Sequence, residues 1–128
     1  MTISEVAKKF GLSADTLRYY EKQGLIPPVT RSESGLRNYT ETDLKWVEFI
    51  RCMRSAGVSI EALTEYVSLF QKGNESIAER KQILTDERAK IAQRITDLEA
   101  ALTRLDHKLD GYEERMITYE KGLYREPD

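Results

Sequence analysis

Apolar residues at Ile3, Val6, Ala7 and Phe10 fall three and four apart, the spacing of one buried face of a short helix. Thr2 followed by Glu5 reads as a capping box that opens this helix, and Gly11 is placed to end it. Ser13 then caps a second helix over 14–22, which turns Leu17 and Tyr20 inward and stops at Gly24. Two short helices joined by Gly11-Leu12-Ser13 predict a helix-turn-helix. Pro27-Pro28 forbids helix beyond it, and the turn cluster Ser32-Glu33-Ser34-Gly35 separates extended pieces at 29–31 and 36–39. That pattern predicts a hairpin, which after a helix-turn-helix is a wing. Thr40 with Asp43 starts a third helix through Trp46, Val47, Phe49, Ile50 and Met53 to Ala56, stopped by Gly57. Ser59 starts a fourth, with Ile60, Leu63, Val67 and Phe70 on one face, and Gly73-Asn74 marks a linker over 71–76.

Beyond Ser76 the punctuation ceases. From Ile91 the apolar positions are Ile95, Leu98, Leu102, Leu105, Leu109, Tyr112, Met116, Tyr119 and Leu123, an unbroken alternation of four and three. Sustained a/d spacing with charges between is the mark of a coiled coil. A helix over 77–123 would be about 70 Å long at 1.5 Å per residue. A stripe only two positions wide per heptad needs a narrow partner, and a second copy of the chain suits it better than the chain's own first half. Backward, the phase puts Ile77 and Leu84 at a but Lys81 and Arg88 at d, so the seam weakens toward the linker. Gly111 and Gly122 each lower helix propensity by about 1 kcal/mol, so the last turns should fray. The expected fold is mainly α: a winged helix-turn-helix domain with a following helix pair over 1–70, the linker 71–76, a dimerising coiled-coil helix over 77–123 and a tail over 124–128.

Composition changes this picture in two places. The formal net charge is -2 over 128 residues, which taken alone argues against nucleic acid. It is unevenly spread: residues 1–57 hold nine Lys/Arg and seven Asp/Glu, and the remainder eleven against fifteen. That permits a basic face on the first half. No apolar run is long enough to span a membrane, no secretory signal opens the chain, and one cysteine makes no internal disulfide, so a reducing cytoplasm is the expected setting. A lone thiol and a lone histidine, His107 on the face of the long helix, are too few for a metal site, and no cofactor is expected. Nor is an enzyme. His107 lies far along the chain from Cys52, and neither a Gly-rich phosphate loop nor paired buried carboxylates appear.

On a helix-turn-helix the second helix lies in the major groove. Its outward positions here are Asp15, Thr16, Arg18, Tyr19 and Lys22. Arg18 is suited to a bidentate guanine pair or a phosphate, and Tyr19 to a phosphate or a thymine methyl. Arg31 and Arg37 flank the Gly-containing wing tip with Tyr39 beside them, which suits a phosphate backbone. A coiled-coil interaction module without DNA binding is the competing reading.

The run Thr16-Leu-Arg-Tyr-Tyr-Glu-Lys-Gln-Gly-Leu-Ile-Pro-Pro, followed by Arg31, Gly35, Arg37 and Tyr39, resembles the MerR family of bacterial transcription regulators. The likeness covers essentially the whole chain, with Leu36 standing where the family usually has an aromatic. It implies a homodimer joined by an antiparallel coiled coil on a palindromic promoter, sharing that promoter with RNA polymerase and distorting an overlong spacer between its two elements. It also implies DNA contacts from Arg18 and Tyr19, from Arg37, Tyr39 and Arg31 in the wing, and more weakly from Arg54. The sequence ends soon after the seam, so no C-terminal ligand-binding domain is expected. Cys52 is either a small buried helix residue or a thiol activated by Lys45, Arg51 and Arg54 on its helix. Arg-Cys-Met-Arg in a short chain is similar to the NmlR/AdhR branch of the family. That likeness implies a response to aldehyde, nitrosative or other electrophile stress through Cys52.

Overall fold

Thr2 and Glu5 close a reciprocal capping box at the start of α1 (Ile3–Phe10): the Glu5 N–H donates to Thr2 Oγ1 at 3.2 Å and the Thr2 N–H to Glu5 Oε1 at 2.9 Å. The backbone N–H of Thr2 holds the Glu5 carboxyl below the usual carboxylate range. Gly11 ends the helix at φ +66°, a conformation that costs a side chain about 1 kcal/mol or more. Ser13 caps α2 (Ala14–Lys22), whose Leu17 and Tyr20 are buried as the spacing predicts. The computed structural model describes residues 1–123, with side chains as far as Thr118.

Thr40 and Asp43 form a second capping box for α3 (Glu41–Ser55), and Ser59 caps α4 (Ile60–Gln71). The chain between α2 and α3 is less regular than expected. Leu25, Ile26 and Val29 enter the core, but the wing hairpin is reduced to a single antiparallel bridge between Arg31 and Arg37. The Ser32 N–H to Leu36 O bond (2.8 Å) and the Asn38 N–H to Thr30 O bond (2.7 Å) flank it. No strand forms among the described residues. The wing buries apolar residues only at its base, Val29 and Tyr39, while the outer part has no apolar face to pack: Leu36 near its tip is 69% exposed.

Two compact units divide the described chain, Met1–Ile91 and the residues beyond. The first is built around Val6, Leu17, Val47 and Ile50, with Leu25, Val58 and Leu63 closing the core. Phe70 departs from its expected place on the buried face of α4. It is exposed beside Trp46 (ring centroids 4.9 Å apart) and under the Arg80 guanidinium (5.2 Å), while Leu69 is buried instead.

The first unit also runs past the linker expected at 71–76. Residues Asn74–Ser76 form one turn of 3₁₀ helix, and Ser76 is buried with its hydroxyl between the Leu69 and Gly73 carbonyls at 2.5 and 2.7 Å. Arg80 Nε donates to the same hydroxyl at 3.0 Å. In the first turns of α5 (Ile77–Leu109), Ile77 and Leu84 are exposed whereas Glu87 is buried and Ile91 packs against the core. Ile91 therefore serves its own chain's core, and the apolar face before it does not follow the heptad phase.

In the second unit, Ile95, Leu98, Leu102, Leu105 and Leu109 are between 51% and 67% exposed. The helix expected to be continuous over 77–123 is interrupted. Helix α5 ends at Leu109 and α6 (Tyr112–Leu123) follows a break at Asp110-Gly111. Gly111 takes φ +66°, and Arg115 Nη2 donates to the carbonyls of His107 (3.0 Å), Lys108 (2.7 Å) and Asp110. A left-handed glycine and a cation on the last carbonyls are a helix stop, not merely a weak point. Beyond it Tyr112 and Ile117 are exposed and Met116 is half-buried. The side chains of Tyr119 and Leu123, and the tail 124–128, lie outside the described residues.

Candidate nucleic-acid interface

Helix α2 presents Arg18 and Tyr19 outward, Tyr19 at 42% exposure. The Arg18 guanidinium meets Asp15 one turn back at 2.8 Å. Both side chains are well exposed, so this pair is easily exchanged for a stronger anion. Asp15 and Lys22 are also exposed. Thr16 is not fully outward: it is half-buried, with its hydroxyl 2.8 Å from the Ser13 hydroxyl at the helix start.

The wing is tied to this helix by Glu21, whose side chain is only 12% exposed. Its Oε2 accepts from the Val29 N–H at 2.8 Å, and its Oε1 from Arg37 Nε at 2.7 Å, with Arg31 Nη2 at 3.5 Å. Asp43 does the same at the wing's base, accepting from the N–H groups of Thr40 (2.9 Å) and Thr30 (3.4 Å). Neither carboxylate stands out locally in the sequence as a wing anchor. Their partners in the wing lie eight to sixteen residues away, beyond the reach of helix periodicity.

Tyr39 is a correction. It is 2% exposed, and its hydroxyl is buried without a hydrogen-bond partner among the described residues, so it does not reach a phosphate. Burial pushes its phenol up from the ordinary value, the more so with Glu21 and Asp43 near, against the opposing pull of Arg37 and Arg31; Tyr20 is raised by burial as well. An unpaired buried hydroxyl costs about 1–3 kcal/mol. Tyr39→Phe is therefore expected to raise the melting temperature and leave DNA affinity unchanged, as thermal melts and anisotropy titrations would register. A large loss of affinity would return Tyr39 to the interface.

Arg54 is exposed but already occupied in part, Nη1 donating to the Val58 carbonyl at 2.8 Å beyond the end of α3. Cys52 is exposed, which removes the reading of it as a small buried residue. Of the cations expected to activate it, Arg51 lies 5.7 Å from the Phe10 ring and Arg54 is turned to Val58. Among the described residues no group of three or more His, Cys, Asp and Glu could hold a metal ion, and no helix is long and apolar enough to cross a membrane.

A recognition helix with an outward arginine and tyrosine, joined to an arginine-bearing wing, defines a helix-turn-helix DNA-binding protein. The chain belongs to the MerR family: the MerR HTH family regulatory protein model matches residues 1–69 and the MerR DNA-binding model residues 44–108. It is a MerR-family DNA-binding transcription regulator. Among its relatives, the HTH-type transcriptional regulator AdhR of Bacillus subtilis is 59% identical over 93 residues, 73% of this chain and 66% of AdhR. The chain thus spans just under two thirds of that relative. A putative MerR family regulator from Listeria monocytogenes superposes with a TM-score of 0.86 at 45% identity, over 96% of this chain and 93% of that one. HiNmlR, a MerR family regulator lacking the sensor domain and solved bound to promoter DNA, superposes at 0.82 with 32% identity, over 91% and 92%.

Proposed function

We propose that the protein works as a homodimer on a palindromic promoter in the cytoplasm, beside RNA polymerase, and distorts an overlong spacer in response to electrophile stress sensed by Cys52. The observation that carries the reading is the tethering of the wing to the recognition helix. Arg18 and Tyr19 reach bases and phosphates from α2, while Arg31 and Arg37, the latter held through its Nε by Glu21, stand against the flanking backbone. Thr16 and Arg54 are secondary contacts.

The exposed ladder Ile95–Leu98–Leu102–Leu105–Leu109 supports the dimer, because soluble chains rarely leave so continuous an apolar stripe uncovered. Two half-sites held by one rod let contact energy be exchanged for DNA deformation, and an effector shifts the balance between a relaxed and a distorted complex. Exposure of Cys52 and similarity to AdhR support the sensor. The thiol adds across an aldehyde carbonyl, forming a C–S bond while the S–H proton passes to the oxygen, and the step is reversible. A second reading keeps the regulator and gives Cys52 no sensing role.

In vitro transcription with the bacterial polymerase separates these possibilities. On a long-spacer promoter, formaldehyde, methylglyoxal or S-nitrosoglutathione should raise transcription with the wild type and leave Cys52→Ser flat. Shortening the spacer to ordinary length should abolish the activation. A Cys52→Ser protein that responds like the wild type sinks the sensor, and equal activation on both spacers sinks the distortion.

A further inference from the structure

We infer that Glu21 is a positioning residue of the interface: it fixes where the wing guanidiniums stand relative to the recognition helix, and so serves discrimination between DNA sequences rather than attraction to DNA. The inference rests on the DNA-binding reading.

Electrostatics alone argues against a carboxylate here. Glu21 lies in the last turn of α2, where the helix dipole disfavours negative charge. It also stands beside the two wing arginines that would face a polyanion, and cancels one of their two charges. What it gains is geometry. One nearly buried side chain reaches three groups spread over the wing: the Val29 N–H where the chain leaves the helix turn, Arg31 on the outgoing limb and Arg37 on the returning limb. Arg31 and Arg37 are also the two residues of the single bridge that closes the wing. Beyond that bridge and the two backbone bonds that flank it, Glu21 is, among the described residues, the wing's charged attachment to α2. The contrast with the Asp15–Arg18 pair is instructive: Asp15 is 93% exposed and orients nothing beyond its own helix turn.

A phosphate contact carries sequence information only by fixing the register of the base-reading helix. Loosening the wing should therefore damage discrimination while the freed positive charge helps binding to any DNA.

The test uses the full-length protein and two duplexes of equal length, one selected by the wild type from a randomised palindromic pool and one scrambled. Glu21→Ala should bind the selected duplex ~10-fold more weakly and the scrambled duplex ~3-fold more tightly. Glu21→Gln, whose single amide oxygen keeps an acceptor for either the Val29 N–H or Arg37 Nε but not both, should fall between it and the wild type. Tighter binding to both duplexes by the same factor would overturn the inference in favour of charge alone. Equal weakening on both, tracking a loss of folded protein in thermal melts, would overturn it in favour of a purely structural role. Should Glu21→Ala not fold, Arg37→Lys keeps the charge and removes the Nε donor. It should lose discrimination at unchanged scrambled-duplex affinity, and full discrimination would overturn the inference. A wild type with no preference between the duplexes would refute the reading of α2 and the wing as a sequence-reading interface, an outcome distinct from the others.

Discussion

Arg18→Ala is expected to weaken binding to the selected duplex by at least ~30-fold, since a good arginine–base pair contributes about 1–3 kcal/mol at each of two half-sites. The guanidinium is half exposed and, among the described residues, held by Asp15 on the same helix surface, so moving it onto DNA costs little. Nothing in the core depends on it; the buried side of α2 is Leu17 and Tyr20. A titration by fluorescence anisotropy at fixed salt measures the loss, with circular dichroism confirming an intact fold. Arg104→Ala, an exposed arginine on α5, should bind like the wild type. Wild-type affinity in the Arg18 variant would remove it from the interface.

The second large effect concerns assembly. Leu98 and Leu105 are 67% and 58% exposed, one heptad apart on the ladder. Placing a carboxylate in a seam of that kind costs about 3 kcal/mol, roughly a 100-fold rise in dissociation constant per site. Leu98→Glu with Leu105→Glu should therefore sediment as a monomer at concentrations where the wild type is a dimer. Helix content should fall too, because long helices draw most of their stability from packing. Operator binding should vanish with it, each monomer offering one recognition helix. A double variant that remains dimeric would show that the ladder is not the seam.

What the sequence disclosed was mostly local. Thr2, Ser13, Thr40 and Ser59 cap their helices as the residue types predict, and the three-and-four spacings find Val6, Leu17, Val47 and Leu63. Each of those signals is complete within about one helical turn. The misplaced residues are those whose fate is decided at longer range. Tyr39 beside two arginines looks like a surface tyrosine; only the convergence of α1, α2 and α3 makes it core. Glu21 looks like a helix-surface acid until Val29 and Arg37 arrive from the wing. Ser76 looks like linker until the end of α4 offers it two carbonyls. The sequence leaves Cys52 open because exposure depends on what α3 packs against, which periodicity along one helix does not specify. Gly111 was hidden for a different reason. Leu109, Tyr112 and Met116 keep the four-and-three spacing across the break, so the pattern runs on where the backbone does not.

That coincidence has a geometric consequence. A left-handed residue between two helices breaks the helical phase, so the spacing that links Leu109 to Tyr112 and Met116 in the sequence is not carried by one continuous helix. The two helices keep separate registers across a two-residue joint. A residue gained or lost at 110–111 would rotate the faces of α6 without shifting one rung of the leucines before it, so the end of the chain can change its outlook while the rod keeps its phase.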